Sequence, residues 1–469
     1  MRFRIVLCLL VLWGSCIFAQ NKETLYDFGD LPQSLMLNPG TEVRFKRHFG
    51  VPFLSQFHVN AGLRGASLYD VFADDGRDIN EKIETTLNKL SSNDHLSFTQ
   101  QLEIVNFGWE SKSNRDVYFS GGVYQELDVI GYFPKDFAVL AYQGNQDFIN
   151  QPFRFSQVNA SAELLMVYHF GYNKRVNDKL TFGARAKLYS SMLHARSARN
   201  SGTFTTVETP QGNNIYQHII NNADVTLRTS GYASLRDIDE ETSSAEVKKA
   251  INKIIGRALF GGNLGIGVDV GFTHRINDQL SVTGSANDLG VVFYTKDVET
   301  YRARGNYVFD GFETPIQFTG QPSQDFVDEL EEAIPLDTLS TSYVTMRPLK
   351  LNGSLKYSFN QYEDGTCYYC IEGEDAPYLD AVGVQLFTQF RPKRPIYGAS
   401  LFYYKRWFEF LRTKITYTVD DYSFYNFGFL VSTHIDKINF YISANNLLDY
   451  TNLAKARGAA VQFGFNVIM

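Results

Sequence analysis

Residues 458–469 read G-A-A-V-Q-F-G-F-N-V-I-M, and no other stretch limits the possible folds so sharply. Val461, Phe463, Phe465, Val467 and Met469 alternate with Gln462, Gly464 and Asn466, with Ile468 as the one exception. Successive side chains of a strand point to opposite faces, so this is a ribbon with one apolar side and one polar or small side. The stripe recurs over residues 349–359, where Leu349, Leu351, Leu355, Tyr357 and Phe359 oppose Lys350, Asn352, Ser354, Lys356 and Ser358. It returns at 180–188, 264–273, 382–390, 413–419, 425–433 and 438–444. Each run approaches the roughly 9–11 residues of a tilted membrane strand.

A soluble sandwich also alternates, and two features decide against it. The polar stripes carry full charges at Arg185, Lys187, Asp269, Lys350, Lys356 and Lys414. A membrane barrel must turn these inward, because charge facing lipid is costly. So many strands also need their edges paired, and in lipid closure is the available solution. The expected fold is an all-β, transmembrane antiparallel barrel of about 12–14 strands with short helices in its loops. Aromatic residues make up 15% of the chain, with 28 Tyr and 38 Phe against 3 Trp, which suits interfacial girdles.

Arg2 and Arg4 precede an apolar run at 5–13, and Gly14, Ser15 and Ala19 follow. This charged, apolar, small-residue order reads as a secretory signal over residues 1–20. The run falls short of the ~20 residues of a spanning helix. Residues 21–53 are expected to form an N-terminal plug or periplasmic segment, and 54–469 the outer-membrane barrel. An exported chain meets an oxidising compartment, so Cys367 and Cys370 in C-Y-Y-C read as a local disulfide or as two idle thiols.

The turns share a motif. Asn93-Asp94, Asn177-Asp178 and Asn277-Asp278 each open N-D-x-L-[ST]-apolar, and Asn and Asp start strands cheaply by bonding their own main chain. Counting back from a periplasmic C-terminus places 436–437, 405–407 and 360–378 on the inner side. The segments 391–395, 420–421 and 447–457, and the long irregular stretches 195–262 and 317–348, then fall outside. Three helices are expected: one after Ser243, one along Ile79, Ile83, Leu87 and Leu90, and one along Phe326, Leu330 and Ile334.

No nucleophile elbow, zinc motif, phosphate loop or calcium loop is present in the sequence. The histidines (His48, His58, His95, His169, His194, His218, His274, His434) are scattered, none beside a convincing nucleophile, so no enzyme activity is expected. The acidic runs at 74–75, 237–241 and 328–332 read as solvated loop charge, and no cofactor or metal is expected. A net charge of -7 offers no basic footprint for nucleic acid. The charged stripe residues are candidate lumen-lining groups. They give either a mildly cationic, anion-favouring interior or a set of pairs with the plug.

Leu31-Pro32-Gln33-Ser34-Leu35-Met36-Leu37-Asn38-Pro39-Gly40 carries a resemblance, with Asn60-Ala61-Gly62-Leu63-Arg64 and Tyr142-Gln143-Gly144-Asn145. Asn287-Asp288-Leu289-Gly290 and Asn445-Asn446-Leu447-Leu448 complete it. These segments resemble a family of largely uncharacterised outer-membrane barrels from Bacteroidota. Its broader kin are the hydrophobic-compound transporters with a fourteen-strand barrel and the barrel that serves type IX secretion. The resemblance implies a bacterial outer-membrane location and carries no catalytic residues. The expected function is a monomeric, porin-like channel or transporter for a small compound, a hydrophobic one being among the candidates, with outer-membrane lipid around it. The alternative is an interaction or scaffold barrel, associated for example with type IX secretion, with protein partners at its outer loops.

Overall fold

The computed structural model describes residues 22–208, 215–236, 244–309, 336–361 and 378–469. The expected signal, Cys367 and Cys370, the acidic runs 237–241 and 328–332, and the helix expected along Phe326, Leu330 and Ile334 lie outside those residues.

Antiparallel pairing runs around a closed circuit of 14 strands. The first stave is made of two pieces, β1 (Arg47–Gly50) and β2 (Phe57–Leu63), and passes to β3 (His95–Glu110) and β4 (Val117–Tyr132). The chain then runs through the two-residue β5 (Phe153–Arg154) to β6 (Asn159–Asn177) and β7 (Leu180–Glu208). Beyond β8 (Tyr216–Ser230) the wall resumes with β9 (Asn263–Arg275) and β10 (Leu280–Tyr294). After β11 (Val298–Phe309) and β12 (Leu336–Leu339), a second divided stave follows, β13 (Tyr343–Met346) with β14 (Lys350–Gln361). Then come β15 (Tyr378–Gln389), β16 (Ile396–Arg406), β17 (Leu411–Asp420), β18 (Asn426–Ile435), β19 (Ile438–Asn445) and β20 (Gly458–Ile468). β20 pairs with both pieces of the first stave and closes the circuit. The wall thus begins at Arg47, a few residues before the expected boundary at 53.

The alternation read from the sequence sorts the two faces. On β15, Gln385 is 1% exposed and points inward, while its neighbour Leu386 is 61% exposed. Ser400, Lys414, Ser432, Asn439, Gln462 and Asn466 are buried in the same way, and Leu401, Ile415, Phe429, Ile442 and Phe465 face out. This inverts the soluble pattern: polar groups fill the inside and large apolar side chains form the outer surface.

The two ends differ. One carries the tight turns and the C-terminus. At two of them Asn177 and Asn277 act alike: Asn177 Oδ1 accepts from the amides of Lys179 and Leu180 (both 2.9 Å), and Asn277 Oδ1 from Gln279 (3.0 Å) and Leu280 (2.7 Å). The third copy of the motif, at Asn93, lies at the opposite end, where Asp94 instead accepts from the Ser91 amide (2.7 Å). That end also carries the helices Ile79–Lys89, Lys135–Gln143 and Ser244–Gly256. The first is capped by Asp78, and Asp75 pairs with Arg77 and Lys82 at 2.7 Å each.

The described parts of the long segments expected to be irregular carry strands and helices. β7 leaves the wall above Ser191, where β9 stops pairing with it, and its upper half takes β8 as a new neighbour. β8 pairs with β11 and β11 with β12, so a sheet annex rises from the rim. Alternation was harder to see there because the register shifts between Ser197 and Arg199, Ser201 and Thr203, and Gly305 and Tyr307, and each shift breaks the period of two.

Asn277→Ala removes two side-chain-to-backbone hydrogen bonds at an exposed turn. The expected loss is about 0.5–1.5 kcal/mol, read as a lower urea midpoint for the heat-modifiable folded band.

Candidate functional site

The interior is occupied by the chain's own N-terminal segment. Pro32 sits in the first turn of a short 3-10 helix, Pro32–Met36, where its fixed φ suits the turn and its missing amide costs nothing. Around that turn the segment has little repetitive structure, so its backbone groups look to the wall for partners. Leu25, Phe28 and Leu31 pack on Leu430 and Tyr441, and Leu35 packs with Phe45, Tyr118 and Ile468. Met36 joins Tyr124, Leu165, Val167, Tyr189, Val292, Tyr294 and Tyr343 in a third apolar cluster.

Polar pins come from strands on every side. Lys414 Nζ donates to the carbonyls of Tyr26 (2.6 Å) and Glu23 (3.3 Å), and Asn445 donates to Glu23 (2.9 Å). Asp27 takes Lys356 (2.5 Å) and Ser354 (2.8 Å); Asp30 takes Arg412 (3.1 Å) and the Tyr404 hydroxyl (2.9 Å). Gln33 donates to the Ser55 carbonyl (3.0 Å), to Glu103 (3.1 Å) and to Asn466 (2.9 Å). Arg185 donates to the Met36 carbonyl (2.7 Å), and Asn287 to that of Leu37 (2.7 Å).

Asn38-Pro39-Gly40 lies flat on β7 and β9. Asn173 donates to the carbonyls of Pro39 (2.7 Å) and Thr41 (2.9 Å), and Asn38 to that of Phe272 (3.2 Å). Two inward glycines permit this approach: a Cβ on Gly183 would strike the Pro39 carbonyl, and one on Gly271 the Asn38 side chain. Residues 31–40 therefore supply part of the seating of the segment, alongside Glu23, Tyr26, Asp27 and Asp30.

All six sequence-named charges point inward. Asp269, fully buried, holds Arg185 (2.7 Å to Nε) and Lys187 (2.9 Å). Asp288 holds Lys187 (2.6 Å) and Lys350 (3.0 Å). The excess of cations read from the stripes is offset by carboxylates that the stripes did not single out: Asp27, Glu126, Glu163 and Asp288. Arg347 pairs with Glu126 (2.7 Å) and with Glu163, and Tyr294 donates to Glu163 (2.7 Å).

Asp288 escaped the count because the register shifts between Ala286 and Leu289, and Asp288 takes a left-handed backbone (φ 63°) at that bulge. Its amide donates to Asp269 (2.6 Å), which explains the Asn287-Asp288-Leu289-Gly290 motif. Glu126 and Asp128 did carry a signal, two residues apart with Leu127 and Val129 on the other face.

Over the segment lies a cavity of about 70 Å³ lined in part by Lys22, His58, Glu126, Lys187, Asp288 and Lys350. His58 Nε2 and Asn287 Oδ1 are buried there with no hydrogen-bond partner among the described residues. His169 is buried on the inner face of β6 with neither ring nitrogen bonded. The other interior histidines are structural: His48 bonds Tyr118 (2.6 Å) and Asn106 (3.1 Å), and His194 bonds Tyr343 (2.9 Å). No group of three metal-ligating side chains forms among the described residues.

Removing one partner of a buried ion pair strands the other. Arg185→Ala would leave Asp269 with Lys187 alone and release the Met36 carbonyl, at an expected cost of about 3–5 kcal/mol in urea unfolding.

Residues 39–445 match the model of a family described as of unknown function (DUF5723), and the chain belongs to that family. Comparison with curated proteins gives no match. Among solved structures, the toluene transporter TbuX of Ralstonia pickettii is 12% identical, with 97% of each chain covered and a TM-score of 0.44. The toluene transporter TodX of Pseudomonas putida is 12% identical over 97% of this chain and 98% of its own, at 0.40. A FadL homologue of Pseudomonas aeruginosa is 9% identical over 96% and 98%, at 0.41.

Proposed function

We propose that this member of the DUF5723 family is an outer-membrane barrel that passes a small polar or amphipathic compound, held shut at rest by its own N-terminal segment. The observation that carries the reading is that this segment fills the lumen of a closed barrel through short, separately breakable pins. A solid interior would need no such separate seating. The segment is a stopper, and the barrel conducts when it shifts.

The outer surface supports the membrane setting. Large apolar side chains cover its middle, as a hydrocarbon environment demands. Near the turn end, Phe107, Trp109, Phe119 and Phe170 pack in contact on the outer face, and Phe408 stacks on Phe410 at 5.3 Å. Towards the annex end, Tyr397, Phe424 and Tyr425 are exposed. Two aromatic rows flanking an apolar band are the mark of an interfacial girdle. By the usual asymmetry, the tight turns face the periplasm and the annex faces outward.

The ions around the cavity favour a solute with hydrogen-bonding groups over a bare hydrocarbon. Stripping water from Lys187, Asp288 and Lys350 without replacing their partners costs several kcal/mol. The annex and helices at the mouth favour a second reading, an interaction barrel that docks a protein there.

Gly271→Leu leaves no room for Asn38 against β9. In planar bilayers the native chain is expected to show little conductance and the variant frequent openings, with both giving the folded band. Equal, silent traces would sink the conduit reading and favour the docking one. Leu386→Arg, on the outer band, is expected to cost about 2–4 kcal/mol in lipid, read as a fall in folded yield that Leu386→Ala does not reproduce.

A further inference from the structure

The annex carries a site of its own. Strand alternation sends Thr226 and Arg228 of β8 to one face and Leu227 to the other, where it is exposed. The pairing register places Arg302 opposite Thr226 and Thr300 opposite Arg228 on β11, and Arg199 opposite Thr226 on β7. These residues, with Ala198, Leu339, Thr341 and Ser342, line a groove of about 450 Å³. That volume lies within the roughly 300–1,000 Å³ of small-molecule sites.

The charge in the groove does not balance. Asp224 takes Arg302 through both oxygens (3.2 and 3.1 Å) and Arg199 at 3.5 Å, so one carboxylate serves two guanidiniums. Arg228 lies over the Tyr343 ring at 5.4 Å and, among the described residues, has no carboxylate within ion-pair distance. Arg196, its direct partner across β7 and β8, has none either. Like charges set opposite each other on a sheet destabilise it, and a bound anion removes that cost.

We propose that this groove binds a phosphate monoester carried on a small organic body. Arg196, Arg199, Arg228 and Arg302 stand against Asp224 and Asp337, the latter opposite Arg302 on β12, an excess of two positive charges, which matches a monoester carrying about −1.5 to −2 near pH 7. Guanidinium forks of Arg228 and Arg302 suit phosphate oxygens, and Asp224 orients the second. The hydroxyls of Thr226, Thr300 and Ser342 offer further bonds to oxygens, and Ala198 and Leu339 give the carbon skeleton an apolar rest. The groove faces the barrel axis rather than lipid, since Arg228 reaches Tyr343, a member of the cluster that covers Met36 of the stopper. A soluble ester is therefore favoured over a lipid headgroup. If the barrel conducts, the groove collects its solute at the mouth, and only that last step rests on the conduit reading.

The test is calorimetric titration of the full chain in neutral detergent, with glucose 6-phosphate as probe and glucose as control. The phosphate ester is expected to bind and glucose not. Arg228→Gln is expected to weaken binding at least tenfold, and Arg228→Lys, which keeps charge but loses the fork, by less. Equal heats for the two sugars, or unchanged affinity in Arg228→Gln with a normal folded band, would overturn the proposal. Vesicles of phosphatidic acid in phosphatidylcholine form the second arm. Arg228-dependent capture of vesicles without binding of the soluble ester would overturn the soluble assignment and transfer the site to a lipid headgroup. Binding is read on the closed barrel, so silence here leaves the conductance result of Gly271→Leu untouched.

Discussion

A closed barrel with a polar inner face must find partners for the groups it turns inward, and here the N-terminal segment supplies many of them. Backbone carbonyls of Glu23, Tyr26, Met36, Leu37, Pro39 and Thr41 accept from Lys414, Arg185, Asn287 and Asn173. The segment needs the wall for the same reason: its internal turn bonds, such as Leu25 to Lys22 and Phe28 to Leu25, leave the carbonyls of Glu23, Tyr26, Met36 and Leu37 to the wall. Each satisfies the other. The lumen is therefore filled through hydrogen bonds and ion pairs as well as apolar contact.

The wall was legible because lipid and lumen impose opposite demands on adjacent residues. Gln385 is buried and its neighbour Leu386 exposed, and the period of two survives wherever both environments are present. It fades in the annex formed by the upper half of β7 with β8 and β11, where repeated register shifts interrupt it, and those segments looked irregular for that reason. The turn chemistry was equally local. Asn177 and Asn277 do at their turns what an Asn does in any sequence, whereas Asn93 sits at the other end of the barrel and yields the role to Asp94.

The lumen was less legible, because pairing across it is set by register. Lys187 and Asp288 are far apart in sequence and meet only because a bulge in β10 turns Asp288 inward. A charge count from regular stripes includes Lys187 and passes over Asp288, so it finds cations where the folded chain has ion pairs. The signature at residues 31–40 was visible as a resemblance. Its physical content required the facing glycines at 183 and 271, which no local rule connects to an Asn-Pro-Gly in the N-terminal segment.

Gln33 touches both sides of the seam where the circuit closes. One of its bonds goes to Ser55, in the link between β1 and β2, and another to Asn466 on β20, with Glu103 beside them. First and last staves therefore share a clasp that belongs to neither. Zippering them with the leader left behind would entomb a glutamate and an asparagine deprived of that clasp. An empty cylinder is thus costlier at that joint than an occupied one, and the seam and the segment stabilise each other.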